Sequence, residues 1–347
     1  MTRYQSVGLL TTLAVAFVVA SVLWTRYEWP GAAGTSKPTT STPSAALAQT
    51  DASSAPRWPR QVHRAIEAWE GLIAANFAGD QACAECHAEE YRAHLRSGHS
   101  RTATLMVDSA LATRLADAGS YRDPQRDQVF QFESADDRFN VRDPVHAPGV
   151  TVPVTWLLGS GTHAQTPIAI DERTQSGVEL RWSYFAHNDT VGVTPDHTRF
   201  DEFHAGSIEC FGRPMDGADI RACLGCHSTV MPPPSLPIQH SLVVANVGCE
   251  RCHGPRKTHV DLAHRGQAEL AKPMLQYASA TAYMDACSDC HRDESSVHPD
   301  AAAHERVRFQ PYGLKRSRCY LETPGHMTCS TCHDPHDTVS RDRSLSI

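Results

Sequence analysis

The chain has 347 residues, a formal net charge of −7 and a hydrophobic content of 41 %. That length holds one large or two small domains. The mild acidity argues against a nucleic-acid partner, and the apolar content is at the low end for a globular protein. Twelve cysteines and 20 histidines stand out, and their order along the chain matters more than their number.

No charged residue lies between Arg3 and Arg26, and Val7 to Trp24 is almost wholly apolar. A cleaved signal carries about 7–15 apolar residues, whereas a spanning helix needs about 20. Residues 1–25 therefore read as an N-terminal transmembrane helix acting as a signal anchor. Trp24, Tyr27 and Trp29 stand where an interfacial belt would lie. A cleaved signal peptide is the alternative. The chain is expected on the periplasmic side of the inner membrane as a single-pass protein, or soluble in the periplasm if the signal is removed.

Residues 26–60, rich in Ala, Ser, Thr and Pro, read as a flexible linker. In residues 61–120 the spacing of Val62, Ile66, Trp69 and Ile73 predicts an amphipathic helix. Cys83 to about Thr104 reads as helical and polar. Residues 121–190 hold short β-type runs (VFQFES, RFNVRD, VTVPVTWLL, VELRWSYF), which predict a small antiparallel β insertion. Residues 191–347 read as irregular, with short helices at each cysteine pair.

Five times the chain reads Cys-x-x-Cys-His: Cys83-Cys86-His87, Cys223-Cys226-His227, Cys249-Cys252-His253, Cys287-Cys290-His291 and Cys329-Cys332-His333. These are motifs 1 to 5. Chance predicts roughly 0.02–0.03 copies at these residue frequencies. Residues i and i+3 share one helix face, so both sulfurs can bond the vinyl groups of one haem while the next residue, His, ligates its iron. Zinc needs paired pairs and no invariable His, a redox dithiol explains one copy, and disulfides need no His. The motifs thus predict five covalent haems c, attached through the ten cysteines and ligated by His87, His227, His253, His291 and His333. The expected fold is mainly α with much irregular structure, organised around packed haems, with residues 191–347 a four-haem module.

Each iron has a sixth position, and fifteen histidines lie outside the motifs. His99, His163, His259 and His336 are the expected distal ligands, with His204 after them. His99 follows motif 1 on the same segment, and the glycines of GSGTHAQT around His163 permit close backbone approach to a flat cofactor. His259 and His336 lie too near His253 and His333 in sequence to serve the same iron, so each is assigned to an adjacent haem. Cys210 and Cys319 remain. In an oxidising compartment they read as a disulfide, with free thiols the alternative.

The segments ACAECHAEEYRAHLRSGHSRTA, LLGSGTHAQT, CLGCHST, VGCERCHGPRKTHV and SRCYLETPGHMTCSTCHDPHD resemble exported multihaem cytochromes. The family in question is typified by the tetrahaem cytochrome that accepts electrons from hydroxylamine oxidoreductase, and the likeness is greatest to its pentahaem relatives. The resemblance implies a mainly helical, haem-packed fold, mostly bis-histidine iron and electron transfer. It supports the same four distal histidines. Redox proteins or a quinol-oxidising membrane complex are the expected partners. The alternative is an oxidoreductase acting on nitrite or hydroxylamine at one five-coordinate haem, although all five motifs end in His and none in Lys.

Overall fold

In the computed structural model, residues 58–337 are described apart from 136, 272–276, 298–300, 302–305, 307–308 and 324. The proposed anchor and most of the linker, residues 1–57, lie outside them. Among the described residues no helix is long and apolar enough to cross a membrane.

The chain opens with helix α1 (Arg60–Asn76), which half-buries the Val62, Ile66, Trp69 and Ile73 stripe and fully buries nothing. Trp69 Nε1 donates to the Leu242 carbonyl over 3.3 Å. Short helices α2 (Asp80–Cys83) and α3 (Ala88–Arg96) follow. A 3-10 turn at His99–Arg101 then leads into strand β1 (Ala103–Leu105), where the sequence reads as continuous helix.

The mainly helical expectation with a small β insertion does not hold. Among the described residues the chain builds three antiparallel sheets. After helix α4 (Ala110–Ala118), strands β2 (Ser120–Asp123), β3 (Gln128–Ala135), β4 (Arg138–Arg142) and β5 (Thr151–Val154) form a four-stranded meander. Phe130 and Phe132, Phe139 and Val141, and Val152 and Val154 all turn inward, the period-2 pattern of a half-buried sheet. A seven-stranded sheet has the order β1, β6 (Trp156–Leu158), β7 (Ala164–Asp171), β8 (Ser176–Leu180) and β11 (Gly212–Met215). Strand β9 (Trp182–Phe185) branches from β7 and pairs with β10 (Thr190–Val193). The third sheet pairs β12 (Ser228–Val230) with β13 (Val244–Ala245).

The reason is where the apolar mass sits. The larger buried cluster runs from Met106 to Phe211 and centres on Phe130, Phe132, Phe139 and Trp182, with Phe132 and Trp182 ring centroids 4.9 Å apart. The second cluster packs Trp156, Ile168 and Ile238 against Ile220 and Leu224 of helix α5 (Gly217–His227). The later helices are short: α6 (Cys249–His253), α7 (Lys257–Ala263), α8 (Ala280–His291), α9 (Gln310–Lys315) and α10 (Arg318–Glu322). Helices α7 and α10 fully bury no residue, and α6 buries only Glu250.

The described chain falls into two compact units. The smaller is His291–Glu322, tied by a Lys315–Asp293 ion pair at 2.6 Å and an Arg316–Glu294 pair. The larger comprises the rest of the described chain. Cys210 is fully buried in the larger unit and Cys319 is exposed in the smaller.

Candidate functional site

Every motif closes on one helical turn. Motif 2 ends α5, motif 3 is α6, and motif 4 ends α8. In motif 1 the His87 N–H donates to the Cys83 carbonyl over 2.8 Å, and in motif 5 the His333 N–H donates to Cys329 over 3.0 Å. This i to i−4 bond sets the two sulfurs and the imidazole on one side of the turn.

The motifs also meet one another within the larger unit. The Cys83 thiol meets that of Cys249, Cys226 meets Cys290, and Cys287 meets Cys329. The Cys226 contact holds the Cys290 thiol down at about 6. The thiol contacts join motif 1 to 3, 2 to 4, and 4 to 5. Groups attached at these sulfurs would be neighbours.

Two carboxylates lock motif 1 to motif 3. Glu250, buried at an x position of motif 3, accepts the Ala78 and Gly79 N–H groups over 2.9 Å each and the Arg256 N–H over 2.7 Å. In return Asp80 of α2 accepts the Cys249 N–H over 2.8 Å. A side chain at Gly248 would stand 2.5 Å from Asp80 Oδ1, so the carboxylate would have to shift to admit one.

The imidazoles supply the rest. His253 and His336 have parallel planes, 2° apart, with ring centroids 6.1 Å apart. An imidazole nitrogen binds a transition metal at about 2.0–2.1 Å, and the ring centre lies about 1.1 Å behind it, so two imidazoles across one ion sit about 6.2–6.4 Å apart. The observed separation matches that of two imidazoles sharing one ion. The His336 Nδ1 lies 3.1 Å from Asp334 Oδ1, which leaves Nε2 for a metal. Burial, then the charges of His336, Arg256 and His87, push His253 below its ordinary value, toward the neutral form that ligates iron.

His227 is the most enclosed motif histidine. Its Nδ1 lies 2.8 Å from the Thr102 carbonyl, and burial pushes it toward the neutral form. His291 Nδ1 lies 3.2 Å from Gln310 Oε1 within the smaller unit. His87, His253, His291 and His333 are exposed.

The other expected distal ligands are scattered. His99 is half-buried on its 3-10 turn, where its carbonyl accepts the Val247 N–H over 3.0 Å, two residues before motif 3. His259 of α7 is half-buried, with Nδ1 3.2 Å from the Ala271 carbonyl. His163 is exposed in the β6–β7 turn. The glycines there serve that turn: Gly159 has φ +119°, and a side chain on it would stand 2.3 Å from the Ala164 carbonyl oxygen. His204 is exposed and paired to Glu209 at 2.8 Å.

Sequence reasoning passed over His94. It lies on α3, 6 % exposed, and its Nε2 is buried without a hydrogen-bond partner. A buried unpaired nitrogen costs about 1–3 kcal/mol. Only its spacing of seven from His87, two helical turns onward on the same face, marks it in the sequence.

Residues 186–254 match the family model described as cytochrome c554 and c-prime, a stretch that contains motifs 2 and 3. Comparison with curated proteins gives no match. Among solved structures, one described as the crystal structure of the outer cell wall cytochrome OcwA aligns with a TM-score of 0.36 and 16 % identity, over 62 % of this chain and 37 % of that one. The present chain thus spans well under half the length of that relative.

The family match and the Cys-x-x-Cys-His turns define a c-type cytochrome. Proteins of that class carry covalent haem c.

Proposed function

We propose that this chain carries five haems c, one per motif, and conducts electrons along them outside the cytoplasm to a partner redox protein. The observation that carries this reading is the meeting of motifs through their cysteines: 1 with 3, 2 with 4, and 4 with 5. Bound haem supplies a one-electron carrier whose potential follows axial ligand, burial and hydrogen bonding. The chain does the rest. The cysteines fix each group in place, and the Glu250 and Asp80 carboxylates hold motifs 1 and 3 in register. His253 and His336, parallel at 6.1 Å, would hold the iron of motif 3 between them, and the Thr102 carbonyl orients His227.

A haem count by pyridine haemochrome, with optical and electron paramagnetic resonance spectra of the oxidised protein, tests this. Five haems per chain with low-spin signals are expected. A count below five removes one or more motifs from the reading. A high-spin haem that shifts on adding nitrite or hydroxylamine turns the function from conduction to catalysis on small nitrogen compounds.

A further inference from the structure

His94 stands beside the His253–His336 pair. Two residues along α3, Arg96 Nη2 pairs with Asp337 Oδ2 at 2.9 Å, which fixes the helix against the residue next to His336. On its other side Asp80 Oδ2 lies 3.8 Å from His94 Nε2, and Asp80 is bonded to the N–H of Cys249 in motif 3. The ring is thus bracketed by the two segments that contribute the facing imidazoles. At 3.8 Å the Asp80 contact is too long for a hydrogen bond, so Nε2 gives up no bond by turning to another partner. His336 is the less enclosed of the two, its side chain 39 % exposed against 8 % for His94.

We propose that His94 is a second distal ligand for the iron that His253 and His336 would share, taking the sixth position when His336 leaves it; this rests on the reading of motif 3 as a haem site. In the exchange the bond from His336 Nε2 to iron breaks and one from His94 Nε2 forms. Both imidazoles are neutral, so no proton and no electron moves. The site would then have two low-spin states that differ in ligand field.

The test uses the full haem-loaded chain with His336→Ala, His94→Gln and the double substitution. His336→Ala is expected to keep as many low-spin haems as the unmodified protein, with a shifted resonance signal. The double variant is expected to gain one high-spin haem. On reduction, carbon monoxide should bind that haem at least tenfold faster in the double variant than in His336→Ala. A new high-spin haem in His336→Ala, unchanged by also replacing His94, overturns the inference. So does a high-spin haem in His94→Gln alone, or equal carbon monoxide rates. Mass spectrometry of the peptide carrying Cys249 and Cys252 separates the two readings. A peptide without haem overturns motif 3 as a haem site and the inference with it, whereas a haem-bearing peptide beside a failed ligand test overturns the inference alone.

Discussion

Glu250 shows how much a single side chain inside a motif can do. Its carboxylate receives three backbone N–H groups from two segments, and charged acceptors make the stronger hydrogen bonds. Glu250→Ala leaves those donors without a protein partner, each worth about 1–3 kcal/mol where water cannot reach. Urea unfolding of the haem-loaded protein should show a loss of about 2–4 kcal/mol, with Glu250→Gln losing less than half of that. None of this was legible beforehand, because the motif leaves its x positions open and the partners lie 172 and 171 positions away. Glu179 gives a prediction in pH. Burial pushes its carboxyl up, but the hydrogen bond from His197 and the charge of Arg213 outweigh this and hold it at about 2. A depressed carboxyl contributes stability above its ordinary value, 4.5, and that contribution fades as pH falls toward the folded value. Stability measured against pH should therefore drop between 4.5 and about 2, and Glu179→Gln should flatten that part of the curve.

Among the elements, those long enough to show a period were legible and the rest were not. The stripe of α1 and the alternation of β3, β4 and β5 follow the 3.6- and 2-residue rules, and both appear in the structure. Strands β1 (ATL), β11 (GRPM), β12 (STV) and β13 (VA) are too short for any period to show. Pro214 also argues against a strand at β11, but β11 ends its sheet and pairs only with β8, where proline is tolerated. Helix α5 is the motif-bearing element best tied to the scaffold. Ile220 and Leu224 anchor it to the second cluster, and Asp216 caps its start by accepting the Ala218 and Asp219 N–H groups over 2.9 Å each. Asp216→Ala should cost about 1 kcal/mol, read as a lowered thermal midpoint, while the haem count stays unchanged because the cap lies at the far end of the helix from His227.

For the molecule as a whole, the low apolar content set at the outset conceals an uneven distribution. The larger cluster lies wholly between Met106 and Phe211, and the second adds α5 through Ile220 and Leu224. By contrast α1, α2 and α7 fully bury nothing. An isolated helix shorter than about 12–15 residues is marginal in water, and burial contributes roughly 25 cal/mol for each Å² of apolar surface. The β region can therefore fold on its own side chains, whereas the segments around motifs 1 and 3 depend on what their cysteines hold. The sequence showed this dependence through its motifs but placed the protein core with them, since cysteine and histidine were the conspicuous residues and the β runs read as an insertion. Chain made without haem attachment, in a host lacking the attachment machinery, should separate the two parts. Brief trypsin treatment followed by mass spectrometry should cut at Arg92, Arg96, Arg251 and Arg256 in α3, α6 and the turn after it. Residues 106–215 should survive as one fragment, with the near-ultraviolet signal of Trp156 and Trp182 retained. In the haem-loaded protein the same four arginines should resist. Cleavage spread evenly through the β strands of the haem-free chain would show instead that the haems support the β core as well, and that the two parts fold as one cooperative unit.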